Sequence, residues 1–153
     1  MSPESSDPTV IRSVAVTTED LVSALETNRT STNRAVLRIT PPFSARMRAR
    51  LHVELDGEYD QQPRPVHVDP GALVGDPPPY PRPAETEDEL RSDPELTYSV
   101  ERHHEYHTER VEDWRESVPA ALKDRATIET VAGPIAVDLS YLGADRSRRN
   151  GPE

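Results

Sequence analysis

The sequence predicts an α+β fold, in which a short capped helix and one long amphipathic helix pack on a mainly antiparallel sheet. Three observations lead to this prediction. Residues 45–55, "ARMRARLHVEL", alternate between apolar and polar side chains, which is typical of a strand with one buried face. Residues 135–141 alternate in the same way after an Ala-Gly turn and indicate a hairpin. Residues 100–117 instead place apolar side chains at helical spacing.

The first predicted elements are a strand and a helix. Residues 9–16 are rich in β-branched side chains, which favour a strand. Residues 18–28 are predicted to form a helix, because Thr17 or Thr18 can cap it and two acidic side chains occupy its first turn.

The next two strands are predicted to pair with each other. Residues 35–40 and 45–55 are predicted to form a hairpin through "PPFSA". Pairing Thr40 with Arg46 keeps the apolar side chains of both strands on one face of the sheet. The opposite face then collects the polar side chains Arg38, Arg46, Arg48, Arg50 and His52.

Proline and periodicity predict the remaining elements. These are a short strand at 65–68, a proline-rich strap at 76–86 that is extended over 76–83, a short helix at 87–91, the long helix from 99 or 100 to 117, and a hairpin at 126–142. Pro119 ends the long helix, because proline lacks the backbone donor and crowds the preceding turn.

The length of 153 residues predicts one domain. We place this domain at 9–142, after a disordered amino terminus at 1–8 and before a flexible tail at 143–153. Its core is lean, since only 30 residues are Leu, Val, Ile or Phe, but the periodic segments favour folding over disorder.

Charge and composition limit the function classes. The chain has 28 acidic and 18 basic residues, of which Lys123 alone is lysine, a balance typical of proteins from extremely salt-loving archaea. In molar salt the Debye length is about 3 Å, so net charge says little about partners. The lack of cysteine excludes disulfides, thiolate catalysis and sulfur-ligated zinc. No segment approaches the ~20 apolar residues of a membrane span, so we expect a cytoplasmic protein without membrane contact.

Three histidines lie close together in "ERHHEYHTER". On a helical wheel His104 and His107 share an apolar seam with Val111 and Trp114, and His103 lies on its flank. The run is not a zinc-protease motif, because the glutamate that follows the first histidine in that motif is missing here.

Two interpretations of these histidines remain open. They are seam residues that each make one hydrogen bond at the edge of the core, or a helical pair of them binds a transition metal. In the second case His52, His67 or Asp69 would complete the ligand set. The predicted metal ligands are therefore His103, His104, His107, His52 and His67.

The arginine-rich face is a candidate site for anions or nucleic acid. Arginine binds two phosphate oxygens at once, and an aromatic side chain in the connecting loop can stack on an unpaired base. The candidate residues are Arg38, Arg46, Arg48, Arg50 and Phe43. Alternatively, the protein's own carboxylates cover these arginines and Phe43 fills the core.

These candidates give three functional hypotheses. The first is a non-catalytic module that binds a protein or a nucleic acid through the arginine face and the proline-rich strap. The second is a metal-dependent site at the helical histidines, with no other cofactor. The third is an enzyme that uses His107 as an acid or base. No nucleotide-binding glycine motif or nucleophile elbow is present, so no catalytic residue is assigned.

Longer stretches resemble a known group of proteins. "ITPPFSARMRARLHVE", "PPYPRPAETEDELR", and "RHHEYH" followed by "VEDWRESV" are similar to a family of small, acidic, uncharacterised haloarchaeal proteins, over residues 10–143. The resemblance implies a salt-adapted cytoplasmic protein and brings no activity, cofactor or partner with it.

Overall fold

The computed structural model describes residues 5–54, 64–76 and 79–143. This part of the chain contains three α-helices and seven strands, which confirms the predicted α+β class. The helices are α1 (Thr18–Thr30), α2 (Pro83–Ser92) and α3 (Val100–Ser117). The strands are β1 (Ser13–Thr17), β2 (Ala35–Ile39), β3 (Arg46–Arg48), β4 (Arg50–Val53), β5 (Val66–Val68), β6 (Arg125–Thr130) and β7 (Gly133–Leu142).

The chain divides into two compact units. Among the described residues, the first unit comprises 5–54, 64–75 and 122–143 and contains α1 and the seven strands. The second comprises 76 and 79–121 and contains α2 and α3. The single domain at 9–142 stays a prediction. No helix in the described ranges is long and apolar enough to span a membrane.

The first sheet has the strand order β3-β1-β7-β6. Strand β1 is parallel to both β3 and β7, and β7 forms the predicted hairpin with β6. The hairpin turn ends at Gly133, whose φ of +106° is a conformation that favours glycine. Val14, Ile128 and Val137 are buried, while their neighbours along each strand are more exposed, so one face of the sheet is buried.

The second sheet has the order β4-β2-β5 and is antiparallel throughout. Leu37 lies opposite Leu51, and Arg38 lies opposite Arg50. This register differs by two residues from the predicted one. A shift of two leaves every side chain on its original face, so Leu37 and Leu51 share one face, and Arg38, Arg50 and His52 share the other. Burial does not follow this division, since Val36 on the arginine side is fully buried and Leu51 is 37% exposed.

The prediction of one strand over 45–55 is wrong. This segment forms two strands in different sheets, β3 beside β1 and β4 beside β2. The change occurs at Ala49, which is buried and whose amide donates to the carbonyl of Ala15 at 2.9 Å. Alternation of polar and apolar residues fixes the faces of a strand but not its neighbour. Arg46 and Arg48 therefore lie in the first sheet, apart from Arg38.

Helix α1 begins where the sequence predicts it. Thr17 is the cap, and its hydroxyl accepts a hydrogen bond from the amide of Asp20 at 3.0 Å. Leu21 and Ala24 are fully buried on the side that packs on β1, β2 and β4.

In the second unit, α3 packs on α2. Ser99 caps α3 by accepting from the amide of Arg102 at 3.0 Å, and the helix ends at Ser117, as predicted. The ring of Trp114 meets that of Tyr80 edge to face, with centroids 4.8 Å apart.

The apolar seam of α3 is shorter than predicted. Val111, Trp114 and Val118 are buried, but Val100 is 75% exposed. His104, predicted to lie on the seam, is exposed as well. The seam therefore occupies the carboxyl-terminal half of the helix.

Further predictions concern the start of α2, the proline-rich strap and the two ends of the chain. Helix α2 begins at Pro83 and not at 87, since proline suits a first helical position where no amide partner is needed. Residues 77–78 of the proline-rich strap, 1–4 of the amino terminus and 144–153 of the tail lie outside the described residues. Within the predicted disordered segment 1–8, the amide of Ser5 donates to the carbonyl of Phe43 at 2.7 Å.

Candidate functional site

Three arginines, Arg46, Arg48 and Arg50, occupy every second position along β3 and the start of β4. We call these three residues the arginine strand. All three are exposed, whereas Met47 is half-buried and Ala49 is buried. Strand β3 is one edge of the first sheet, and β4 is one edge of the second. Arg46 and Arg48 are thus about 6.6 Å apart along one edge strand, and Arg50 follows after the change of sheet at Ala49.

Within the described ranges, no carboxylate forms an ion pair with a guanidinium of the arginine strand. Carboxylates do pair with arginines elsewhere in these ranges, namely with Arg34, Arg82, Arg91, Arg110, Arg115 and Arg125. The arginine strand therefore makes no direct ion pair with a described carboxylate, although Asp20 Oδ2 accepts from the amide of Leu51, next to Arg50, at 3.1 Å.

Arg38 has a different environment from the arginine strand. It is half-buried on β2, and its Nη1 donates to His52 Nδ1 at 3.3 Å. Arg38 also lies directly opposite Arg50.

Phe43, the predicted stacking residue, is fully buried. In this structure it belongs to the core of the first unit and offers no ring to a ligand. This is the alternative role that the sequence left open for it.

The second sheet brings together two histidines that were predicted as metal ligands. The rings of His52 and His67 have centroids 5.4 Å apart. His67 Nδ1 donates to Glu54 Oε2 at 2.8 Å, and Glu54 Oε1 accepts from Arg34 Nε at 3.0 Å. The carboxylate therefore fixes the orientation of His67 and places a hydrogen on its Nδ1.

The histidines of α3 separate into two groups. His103 and His107 both face Thr86 of α2, whose hydroxyl oxygen lies 2.9 Å from His103 Nε2 and 2.9 Å from His107 Nδ1. His103 Nε2 also donates to the carbonyl oxygen of Pro83 at 3.1 Å. His104 is exposed and is absent from this arrangement.

The hydrogen bonds around Thr86 define the protonation of one ring. A carbonyl oxygen only accepts, so His103 Nε2 carries a hydrogen. The hydroxyl of Thr86 donates to carbonyls of its own helix, Pro83 O at 3.1 Å and Arg82 O at 3.4 Å, so it can accept from the histidines. Thr86 is fully buried, so its oxygen is closed to a substrate although it resembles a nucleophile paired with a histidine base.

Burial and nearby charges act on His107. Burial, followed by the charges of His103, His104 and Arg110, lowers the pKa of His107 below its ordinary value of 6.5. The neutral ring of His107 is therefore favoured.

A neighbouring contact joins the same two helices. Glu89 of α2 accepts a hydrogen bond from Tyr106 Oη at 2.8 Å and pairs with Arg110 of α3. The hydrogen bond to Glu89 and partial burial raise the pKa of Tyr106 above its ordinary value.

Three residues in these contacts were not among the predicted site residues. Thr86 and Glu89 lie in the acidic stretch "AETEDEL", whose composition is typical of a solvated helix start. Glu54 is the last polar residue of the alternating segment 45–55. A capping motif would not identify them either, because each contacts residues far away in the sequence.

A family model covers most of the chain. The model of the domain of unknown function DUF8009 matches residues 1–143. The chain belongs to this family. Neither the curated proteins nor the solved structures include a significant match to it.

The DUF8009 domain distributes its predicted metal ligands over both units. His52 and His67 belong to the first unit, and His103, His104 and His107 to the second. Asp69 accepts from the amide of Gly71 at 3.0 Å. In the part of the domain that the structure describes, no group of three or more His, Asp or Glu side chains has the arrangement of a metal site. A metal at these histidines stays a prediction.

Proposed function

We propose that this protein is a non-catalytic module that binds the phosphates of single-stranded nucleic acid through the arginine strand. The observation that carries the proposal is the row of three exposed guanidiniums without a described carboxylate partner. In a chain with 28 acidic residues, such a row is the feature that most needs an external anion.

The chemistry of arginine supports phosphate as the ligand. Its planar guanidinium donates two parallel hydrogen bonds to a phosphate, and this short-range contact survives salt that screens a diffuse charge.

The spacing within β3 favours a single strand as the ligand. Arg46 and Arg48, two residues apart on that strand, are about 6.6 Å apart, a spacing comparable to that of successive phosphates in an extended nucleic acid. With Phe43 buried, the contacts would be made to phosphates and not to bases. Phosphate contacts position a ligand without reading its sequence, so we expect binding with little sequence preference.

The proposed setting is the cytoplasm of a salt-loving archaeon. The net charge of −10 and the single lysine support it, since a carboxylate-rich surface keeps a protein soluble in molar salt. In that setting a partner has to be held by direct hydrogen-bonded contacts.

Fluorescence anisotropy with a labelled single-stranded oligonucleotide tests the proposal. The variant R46S/R48S/R50S should lose at least tenfold in affinity. The slope of log K against log salt should become shallower by about 2, from about 0.7 for each phosphate contact on a single strand. The control R12S/R29S/R102S removes three exposed arginines elsewhere and has the same net charge.

The control separates local contacts from overall charge. If both triple variants lose affinity equally, or if wild-type protein does not bind the oligonucleotide, the proposal is wrong. A protein partner would then be the alternative for the exposed arginines. Circular dichroism of each variant shows whether the fold is intact.

A further inference from the structure

One carboxylate is fixed beside the arginine strand. Asp20 lies in the first turn of α1, and its Oδ2 accepts a hydrogen bond from the amide of Leu51 at 3.1 Å. Leu51 follows Arg50 in β4, an edge strand, so this contact holds the carboxylate at the edge of the sheet, next to the last residue of the arginine strand. The amide of Asp20 is held in turn by the Thr17 hydroxyl at 3.0 Å. The carboxylate therefore has a defined position in the folded protein.

The second oxygen of this carboxylate is available to a ligand. Among the residues that the structure describes, Asp20 Oδ1 accepts no hydrogen bond and forms no ion pair. Asp20 is half-buried, and Oδ1 still reaches solvent. A carboxylate oxygen only accepts hydrogen bonds, so its partner must be a donor. A phosphodiester has no donor, so Oδ1 cannot bind the group that the arginines bind.

The 2′-hydroxyl of ribose is the donor that a nucleic acid brings to this position. The Asp20 carboxylate repels the phosphates of RNA and of DNA alike, since both carry the same charge. RNA differs from DNA in its 2′-hydroxyl, which is both a donor and an acceptor. Each phosphate is bonded to a sugar, so a strand with one phosphate at Arg50 brings a sugar close to Asp20. Only RNA can then offset the repulsion with a hydrogen bond to Oδ1, as ribose does with an acidic side chain in dinucleotide sites.

We propose that Asp20 makes the arginine strand selective for RNA, by accepting a hydrogen bond from a ribose 2′-hydroxyl while Arg50 binds the adjacent phosphate. Asp20 is a specificity-determining residue in this arrangement, and the arginines supply the affinity. This assignment rests on the proposed function and extends it, because phosphate contacts alone position a ligand without identifying it. It adds no preference for base sequence, since all four ribonucleotides carry the same hydroxyl.

Fluorescence anisotropy with three labelled oligonucleotides of one sequence tests the role of the hydroxyl. These are RNA, DNA and 2′-fluoro RNA, which keeps the sugar shape of RNA but has no donor at the 2′ position. At fixed molar salt, the full-length wild-type chain should bind RNA about tenfold more tightly than either of the others. This is the effect expected of one hydrogen bond to a charged acceptor that is partly exposed.

Asp20→Asn and Glu19→Gln form a matched pair of variants. Each removes one negative charge from the first turn of α1, and the asparagine keeps an oxygen for the amide of Leu51. In D20N the preference for RNA over DNA should fall below about threefold, because a neutral amide is a weaker partner for the hydroxyl. DNA should bind D20N more tightly than it binds wild-type protein, because the repulsion is reduced. In E19Q, which changes an exposed side chain, the preference for RNA should equal that of wild-type protein.

The amide of Leu51 provides a local measurement in wild-type protein. Its NMR resonance should shift more with RNA than with DNA, because its acceptor is the carboxylate that the ribose contacts. Equal affinities for RNA and DNA, equal affinities for RNA and 2′-fluoro RNA, or an unchanged preference in folded D20N would each overturn the role of Asp20 and leave the arginine site standing. Absence of binding to all three oligonucleotides would overturn the proposed function as well. If D20N does not fold, the wild-type affinities and the Leu51 resonance still decide the matter.

Discussion

Replacing Phe43 with alanine tests whether this ring belongs to the core or to a ligand site. Phe43 is the largest fully buried side chain in the described ranges, with no exposed surface. Removing a buried phenylalanine costs about 3–5 kcal/mol, which combines the lost transfer energy of the ring and the cavity left behind. A domain of this kind has a stability of about 5–15 kcal/mol, so the variant should lose a large part of it.

Urea unfolding at fixed molar salt measures this loss. With a slope of about 2 kcal/mol per M, a loss of about 4 kcal/mol lowers the midpoint by about 2 M. Val131→Ala is the control, because Val131 is 70% exposed and its truncation should change stability by less than about 0.5 kcal/mol. A loss below about 1 kcal/mol for F43A would refute the core assignment and make a role in stacking the better explanation.

Two further predictions concern pH and packing. Because burial and the charges of His103, His104 and Arg110 lower the pKa of His107 below 6.5, the unfolded chain binds this proton more readily than the folded chain does. Neutral His107 therefore contributes its full stabilisation above about pH 6.5, and this contribution is lost as pH falls through the lower pKa that His107 has in the folded protein. In H107Q the free energy of unfolding should depend less steeply on pH over this range. A pH dependence equal to that of wild-type protein would contradict the assignment. Ala49→Leu should cost about 1–3 kcal/mol in urea unfolding, because Ala49 is buried and the apolar cavity that it lines, about 10 Å³, is too small for the added carbons. A neutral effect would mean that the change of sheet at Ala49 tolerates a larger side chain.

Periodicity predicted which residues share a face but not which strands are neighbours. The alternation from Ala45 onward correctly placed Arg50 and His52 on the polar side of β4. It could not show that Arg46 and Arg48 pair with β1, because parallel and antiparallel partners accept the same alternation. Small size at Ala49 is the only local sign of the change, and alanine is too common in strands and helices to identify it.

The helical wheel predicted the histidine contacts only in part. His107 and Trp114 turn toward the helix pair as the wheel requires, but His104 is exposed because the seam near it has no apolar partner. The partner that decides the chemistry, Thr86, is 17 residues from His103 and 21 from His107. Such contacts depend on how two helices pack, and a single sequence contains no pattern that fixes this packing.

The position of β7 has a consequence for how the protein is made. Strand β7 lies between β1 and β6, so the interior of the first sheet needs residues 13–17 and 133–142 at once. At about 5–20 residues per second, a ribosome needs several seconds after completing β1 to produce β7. Throughout that time the nascent β1 lacks its neighbour on one side, and α2 and α3 are both synthesised before β7. We therefore expect this sheet to close late in synthesis, and its unpaired strand to be the part of the nascent chain most exposed to aggregation.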